Sequence, residues 1–520
     1  MPAPSRRRRA LIAGLLLSIH LGAHADLDQP LDQDTARALL NRFGYGANRA
    51  SLDATTGQSL RQYLERALHA PSRQPETIRQ QIAGFASATP VETLWADFGP
   101  GGVVRQDART TRMADGVARN ESEIRGRQIL EQAATARLLE SANSDNPGHE
   151  VLLNFWLNHF SIHGLKTLNK FLMADYTRHL QQALHEDTFL ALLRASFFHP
   201  AMQLYLDNAQ STAPESPFAQ RASARGKTLG LNENLARELL ELHTLGIDSG
   251  YTQADIQALA RIISGAGIVN PQLPPAGRGA QGSVQRGLFF FNPLRHDFSA
   301  KTLLGKPYPA GRGIEEIEAA LVQLAGHPAT ARHIAGKLAR RFLADAPPPA
   351  LVERMAAGFL RSGGKISATL LPLLDSREFT DSLRQPSKFK EPVDYLLSVA
   401  RAACFDQPVG NGPLLWRTAQ DLGQAPFMRT TPDGYGSQES DWLSPPAMAK
   451  RIRLAQLAGS GQAPLAAPRD AEAPQRCRSD LAALRQAVGP LPETARQALA
   501  GLNPAEEGAA LLASPAFMRR

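Results

Sequence analysis

The sequence lacks several features that define whole classes of protein. Only 2 of its 520 residues are cysteine, which excludes a disulfide-dense scaffold and any cysteine-rich zinc module. No apolar run approaches the roughly 18 residues of a membrane-spanning helix, so we expect no integral membrane segment after signal cleavage. The motifs G-x-S-x-G and H-E-x-x-H are both missing, which argues against an α/β-hydrolase and gives no helical zinc-protease signature.

A strong net charge is also lacking. The chain has 57 Lys and Arg against 49 Asp and Glu, and four of the basic residues are the run Arg6–Arg9 near the N-terminus. Without that run 53 basic and 49 acidic residues remain, a mild excess that excludes nucleic acid as a partner. A hydrophobic fraction of 43% excludes disorder of the whole chain and indicates a sizeable globular protein.

The N-terminus has the pattern of a cleaved export signal. The basic run Arg6–Arg9 precedes a mostly apolar core from Ala10 to Gly22, and Ala23 and Ala25 occupy the small-residue cleavage positions. We therefore predict a signal peptide over residues 1–25 and a periplasmic or secreted mature protein. The general secretory route is favoured, and the twin-arginine route stays open because Arg-Arg is followed by apolar residues.

Helical periodicity dominates the rest of the chain, and strand alternation is scarce. We predict a mainly α fold: a large multi-helical globular body with long Gly/Pro-rich loops and at most a short β-hairpin, for which residues 288–291 are the best strand candidate. The predicted main domain covers residues 26–457, a flexible linker residues 458–475, and a helical tail residues 476–520. Cys404 and Cys477 either pair after export or remain two free thiols.

Histidines fall on the apolar faces of two predicted helices. In the helix predicted from Glu150 to His163, Leu152, Trp156, His159 and His163 share one stripe at spacing i, i+4, i+7, i+11. An i, i+4 pair of histidines also suits the binding of one ion.

The second predicted helix runs from Asn232, its proposed N-cap, to Leu245, with Gly246 as the residue after it. His243 lies in its apolar sector and Glu238 on the flank of that sector. A loop contributes a further histidine and carboxylate as His296-Asp297.

Two interpretations of these residues are open. In one, His159, His163, His243 and His296 bind a divalent metal (zinc, iron or manganese), while Glu238 or Asp297 acts as ligand or general base. In the other, each histidine is a core residue whose nitrogens are satisfied by carbonyls or carboxylates.

Several segments resemble a large family of exported bacterial proteins known only as domain-of-unknown-function family 1800. The resemblance spans nearly the whole mature chain, and its most specific stretch is Asn232–Gly246. The other segments that carry it are Leu40–Gly46, Trp156–Phe160, His296-Asp297 with Lys301, Leu304-Gly305, His327–Ala331, Lys337–Ala339, Leu422–Gln424, Pro426-Phe427 and Leu511–Pro515.

The resemblance implies no established activity. It implies that members are often encoded beside a second exported family with a sulfatase-like appearance. Such a protein would then be a partner of this chain or act in a shared pathway. The chain departs from the family pattern at Ala266 and Tyr435, where the family usually has tryptophan. If those tryptophans line a ligand surface, this chain binds something different.

From these observations we expect an exported envelope protein of uncharacterised activity. The first hypothesis is a His/Glu/Asp-based hydrolase or oxidase, with or without metal assistance. The alternative is a non-catalytic envelope scaffold or partner-binding protein with structurally buried histidines. A third hypothesis is an anion-binding protein that uses basic residues between Ala209 and Thr228. Whether the protein is an enzyme is left open.

Overall fold

The architecture was obtained from a computed structural model, which describes residues 27–100, 102, 115–247, 249–270, 281–466, 475–477 and 481–520. The predicted signal peptide lies outside these residues, as do residues 271–280 of the Gly/Pro-rich loop and residues 467–474 of the predicted linker.

The described chain is mainly α, as the periodicity predicts. The helices before the small sheets are α1 (Gln33–Arg42), α2 (Arg49–Thr55), α3 (Leu60–His69), α4 (Glu76–Ala83), α5 (Val91–Phe98), α6 (Asp115–Asn143), α7 (Pro147–His159), α8 (Met173–Leu184), α9 (Phe189–Phe197), α10 (Pro200–Tyr205), α11 (Pro217–Ser223), α12 (Asn234–Glu238) and α13 (Gln253–Ile262). Those after them are α14 (Ile314–Ala325), α15 (Pro328–Phe342), α16 (Pro349–Arg361), α17 (Ile366–Leu374), α18 (Arg377–Arg384), α19 (Pro392–Ala403), α20 (Gly412–Asp421), α21 (Glu439–Trp442), α22 (Pro445–Gly459), α23 (Leu481–Val488), α24 (Glu493–Leu499) and α25 (Pro504–Ala513).

Local sequence signals set many of the helix starts. Thr252 and Asp255 form a capping box at the start of α13, as their spacing predicts. Pro147 and Pro328 are the first residues of α7 and α15, where a missing N–H leaves no helical bond unmade.

Five short antiparallel strands form two small sheets. Strand β3 (Phe289–Phe291) lies between β1 (Ala266–Ile268) and β2 (Val284–Arg286), and Ala266 is paired with Phe291. Strands β4 (Lys301–Leu303) and β5 (Lys306–Tyr308) form a hairpin. The strand predicted at residues 288–291 is confirmed over Phe289–Phe291, and the sheet around it has one strand more than a hairpin.

Most residues of α7 are buried in the core. Leu152 and Trp156 are fully buried, as the apolar stripe predicts. The helix, however, ends at His159, so the prediction that His163 continues its stripe is wrong. The carbonyl of Phe160 accepts a hydrogen bond from the hydroxyl of Tyr176 at 2.9 Å, and the N–H of Gly164 donates to Phe427 at 2.8 Å instead of continuing the helix.

Two other predicted helices are interrupted. The segment predicted from Asp175 to Phe198 divides into α8 and α9, and Asp187 between them adopts a left-handed φ of 54°. The predicted helix from Asn232 becomes α12 followed by a π-helical turn, Leu239–His243. Asn232 is not its N-cap, because the helix begins two residues later and Glu233 occupies that position.

The C-terminal residues pack against the main body. Helix α25 lies along α22, and the guanidinium of Arg520 is buried, with one nitrogen 3.4 Å from a carboxylate oxygen of Asp394. A disulfide joins Cys404 to Cys477, whose Cα atoms are 5.0 Å apart. In the part of the chain that the structure describes, no helix combines the length and apolarity needed to cross a membrane.

Candidate functional site

The π-helical turn Leu239–His243 organises a cluster of three histidines. A wide turn at a helix end leaves carbonyl groups without intrahelical partners. Nε2 of His159, from α7, donates to the carbonyl of His243 at 3.1 Å, and Nε2 of His333, from α15, donates to that of Leu242 at 3.1 Å. The rings of His243 and His333 are centred 6.1 and 6.2 Å from that of His159.

All three rings are held in the neutral form. Burial lowers the pKa of His243 to about 3 and of His333 to about 4, and it lowers the pKa of His159 well below 6.5. The nearby positive charge of Lys337 lowers each of these pKa values further. Among the described residues, Nδ1 of His159 and Nε2 of His243 have no hydrogen-bond partner.

A cavity of about 270 Å³ adjoins the histidine cluster. Its lining carries five basic side chains (Arg137, Lys337, Arg340, Arg341 and Arg429) and three acidic ones (Glu391, Asp394 and Asp433).

Three of those cations are paired. Arg341 donates to both carboxylate oxygens of Asp394 at 2.7 and 2.8 Å, and Arg429 pairs with Asp433 at 2.8 Å. Arg137 forms ion pairs with Glu140 and Glu150 behind the cavity wall.

The other two cations, Lys337 and Arg340, are not paired. They lie three residues apart on α15, and His333 lies one turn before Lys337. No described residue forms a hydrogen bond or an ion pair with either side chain. Burial lowers the pKa of Lys337 to about 8, with a further contribution from Arg340 that Asp433 opposes. The cavity therefore has an uncompensated positive side.

The structure brings His159 and His243 together but places His296 and Asp297 in another network. Nδ1 of His296 lies 2.7 Å from the carbonyl of Ser264, and its Nε2 lies 3.1 Å from Glu316, a buried carboxylate that also binds Lys301. Both nitrogens of the His296 ring therefore lie within hydrogen-bond distance of protein acceptors.

Asp297 is bound by Arg261 at 2.7 Å and by the N–H of Ser299 at 2.8 Å. Burial alone would raise the Asp297 pKa, but these hydrogen bonds outweigh it and lower the pKa to about 2. Asp297 is therefore an ionised, fully engaged carboxylate.

Glu238 and His163 are both partly buried, and neither belongs to the histidine cluster. Burial raises the pKa of Glu238, and the charges of Glu241 and Asp433 raise it further, so this carboxyl lies within electrostatic range of the cavity wall. His163 is partly exposed in the loop after α7, where burial and the charge of Lys166 lower its pKa.

The six predicted site residues (His159, His163, Glu238, His243, His296 and Asp297) do not include a group of three whose ligand atoms are close enough to bind one metal ion. In the described chain, the group of three candidate ligands whose atoms lie within 4.8 Å of one another is Asp175, His179 and His199, and it contains none of the six.

That group is better described as a hydrogen-bonded pair. Nδ1 of His199 accepts the N–H of Ala201 at 3.1 Å, so the proton of the neutral ring is on Nε2, which lies 3.1 Å from Asp175. A metal would need the lone pair at that nitrogen.

Reasoning from the sequence missed His333 and Arg340 as site residues and included Lys337 only in a family motif. A usable signal existed, because His333, Lys337 and Arg340 follow the spacing i, i+4, i+7 and share one face of α15. That face carries no hydrophobic stripe, whereas the prediction was based on histidines that lie on apolar helix faces.

Several of the segments that carry the family resemblance meet at this cavity. Tyr45, Asn158, Leu242, Lys337 and Phe427 come from five of them, and all line it. Tyr435 lines it as well, with its hydroxyl donating to the carbonyl of Ala425 at 2.8 Å.

Fold and site together define a mainly α protein with a partly cationic cavity next to neutral histidines. The chain belongs to the family described as protein of unknown function (DUF1800), whose model matches residues 38–519. No curated protein and no solved structure matches the chain.

Proposed function

We propose that this protein binds a small organic anion in the cavity, with Lys337 and Arg340 holding the anionic group. The observation that carries the proposal is the absence of any described partner for these two side chains. Enclosing a cation without a counter-charge costs free energy, and a bound anion would offset that cost.

The remaining lining suggests the shape of the ligand. Phe155, Leu242 and Phe427 supply an apolar wall, and amide and hydroxyl groups occur at Asn158 and Tyr435. Pockets of this kind bind the apolar body of a ligand and orient it through a few polar contacts. We therefore favour a carboxylate or phosphate that carries an apolar group over inorganic phosphate.

Calorimetric titration with benzoate, phenyl phosphate and uncharged benzyl alcohol tests the proposal. The two anions should bind and the alcohol should not. Lys337→Met and Arg340→Met should each weaken anion binding about tenfold or more, the value of one charged hydrogen bond. Arg332→Met is the matched control, because Arg332 is exposed on the same helix and pairs with Glu353. Failure of both anions to bind would overturn the proposal.

Acid–base chemistry is a second candidate, in line with the expected hydrolase or oxidase. Burial moves the pKa of Lys337 down to about 8 and that of Glu238 up, so both groups shift toward neutral pH. The predicted metal site at His159, His163, His243 and His296 is tested separately, by elemental analysis of untagged protein from the periplasm.

Export to the periplasm is part of the proposal and depends on the N-terminal signal pattern. A sulfatase-like partner is supported by the family resemblance alone, and co-purification of untagged protein with such a partner would test it.

A further inference from the structure

The amine of Lys337 differs from those of three other enclosed lysines of the described chain, which donate to carboxylates. Lys166 donates to Asp207 at 2.8 Å, Lys301 donates to Glu316 at 2.6 Å, and Lys388 donates to Asp345. Lys337 lines the cavity and has no such carboxylate. An amine left without a partner inside a cavity is available to a ligand.

We propose that Lys337 is a nucleophile that forms a Schiff base with a small molecule whose carbonyl group is bonded directly to a carboxylate, the class of 2-oxo acids. This inference rests on the proposed anion binding and adds a covalent step to it. Lysine amines take this role when burial and a neighbouring cation lower their pKa and so raise the uncharged fraction.

The geometry around Lys337 provides both conditions. It lies between His333 and Arg340 on one face of α15, and burial and the charge of Arg340 lower its pKa to about 8. The opposing carboxylate, Asp433, is itself paired with Arg429 at 2.8 Å. The remaining neighbours, His159 and His243, are neutral, so they do not stabilise the ammonium form of Lys337.

Arg340 would orient the substrate. Side chains three residues apart on a helix are neighbours, about 5–6 Å between their Cβ atoms. A guanidinium binds a carboxylate through two parallel hydrogen bonds. In a 2-oxo acid such as pyruvate the carbonyl carbon is bonded to the carboxylate carbon, so a carboxylate held by Arg340 would bring the carbonyl to Nζ of Lys337.

The step is balanced without any further reactant. Nζ attacks the carbonyl carbon and forms a C–N bond, and the carbonyl oxygen leaves as water. Both hydrogens of that water come from the amine, and the product is the imine. Nothing is oxidised or reduced, and hydrolysis reverses the reaction.

Reductive trapping tests this directly. The full-length mature protein is incubated with pyruvate and sodium cyanoborohydride, and the adduct is located by peptide mass spectrometry. We expect one reduced adduct at Lys337, at least about tenfold above exposed Lys227 or Lys365, because exposed amines are almost wholly protonated near neutral pH. Acetone, which lacks the carboxylate, should label Lys337 much less, and Arg340→Met should reduce labelling by pyruvate.

Two lysine variants complete the design. Lys337→Arg should abolish the adduct, with its fold checked by circular dichroism. Lys390→Arg is the control, because Lys390 is a buried amine with a pKa lowered to about 7 that lies over the ring of Phe517, outside the cavity lining. It should leave the labelling of Lys337 unchanged.

The outcomes separate this inference from the proposed function. Pyruvate that binds in calorimetry but leaves no adduct would overturn the Schiff base and leave anion binding standing. Labelling spread over exposed lysines would overturn it as well. Absence of both binding and labelling, together with no binding of benzoate or phenyl phosphate, would overturn both proposals.

Discussion

Gly246 and His333 approach so closely that no side chain fits between them. Gly246 has a left-handed φ of 90°, and a Cβ added there would lie 2.7 Å from Nδ1 of His333. This contact places His333 where its Nε2 donates to Leu242, at the end of the π-helical turn. The glycine thus positions one wall of the cavity.

Replacing Gly246 with Ala should therefore destabilise the protein by more than the backbone strain alone would. We expect a cost of about 2–3 kcal/mol, against about 1 kcal/mol for a non-glycine residue in the left-handed region. Gly250→Ala is the matched control, because Gly250 has a φ of 87° and a Cβ added there would meet no atom within 4 Å. Urea denaturation measures both, and equal costs would contradict the role of the His333 contact.

The neutral histidines should make stability depend on pH. Burial lowers the pKa of His243 to about 3 and of His333 to about 4, whereas both return to about 6.5 in the unfolded chain. Between these values the unfolded chain binds more protons. The free energy of unfolding therefore has its full value above about pH 6.5. It decreases as the pH falls toward 4, by up to about 1.4 kcal/mol per pH unit for each histidine.

Urea midpoints at several pH values measure this slope. His333→Gln should flatten it by removing one titrating group, while Arg332→Gln, an exposed change on the same helix, should leave it as it is. A slope unchanged by His333→Gln would show that this histidine does not stay neutral in the folded protein.

Periodicity predicted the helices well where their ends depend on neighbouring residues. The capping box of Thr252 and Asp255 is such a case, because both partners are three residues apart. The end of α7 could not be predicted, since it depends on a hydroxyl from Tyr176 and a carbonyl from Phe427. These contacts form only when distant segments meet.

At the candidate site, the burial of two histidines could be predicted from local sequence, and the tertiary contacts could not. Apolar faces correctly turned His159 and His243 toward the core, where their rings lie 6.1 Å apart. The pairing of His296 with Glu316 is tertiary and leaves no local trace in the sequence. The unpaired state of Lys337 and Arg340 is equally invisible, because it requires knowing where every carboxylate lies.

The disulfide should contribute measurably to stability. It joins residues 73 positions apart, and closing a loop of that length in the unfolded chain corresponds to about 4 kcal/mol in the chain-entropy model. Replacing both Cys404 and Cys477 with Ser should lower the free energy of unfolding by about 2–5 kcal/mol. Non-reducing peptide mapping should recover the linked pair, and free thiols in exported protein would contradict the pairing.

During export, cleavage between Ala25 and Asp26 should remove the N-terminal segment. The small residues Ala23 and Ala25 occupy the positions that signal peptidase recognises. Intact-mass measurement of protein from the periplasm should give a chain that begins at Asp26, and Ala25→Arg should block processing. Recovery of exported protein that still carries Arg6–Arg9 would show that the segment is not cleaved.

Anion binding should weaken as the pH rises through about 8. The ammonium form of Lys337 binds an anion and its neutral form does not, and burial places the pKa of this amine near 8. Arg340 stays charged over the same range, so binding should fall severalfold toward a lower plateau and not to zero. Calorimetry with benzoate between pH 6.5 and 9.5 measures this, because benzoate itself remains ionised throughout.

Two variants serve as controls. Lys337→Arg keeps the charge at every pH and should remove the pH dependence of binding while retaining affinity, whereas Lys390→Arg should leave that pH dependence unchanged. An affinity that stays constant from pH 7 to 9.5 in the unmodified protein would mean that the anion does not contact Lys337.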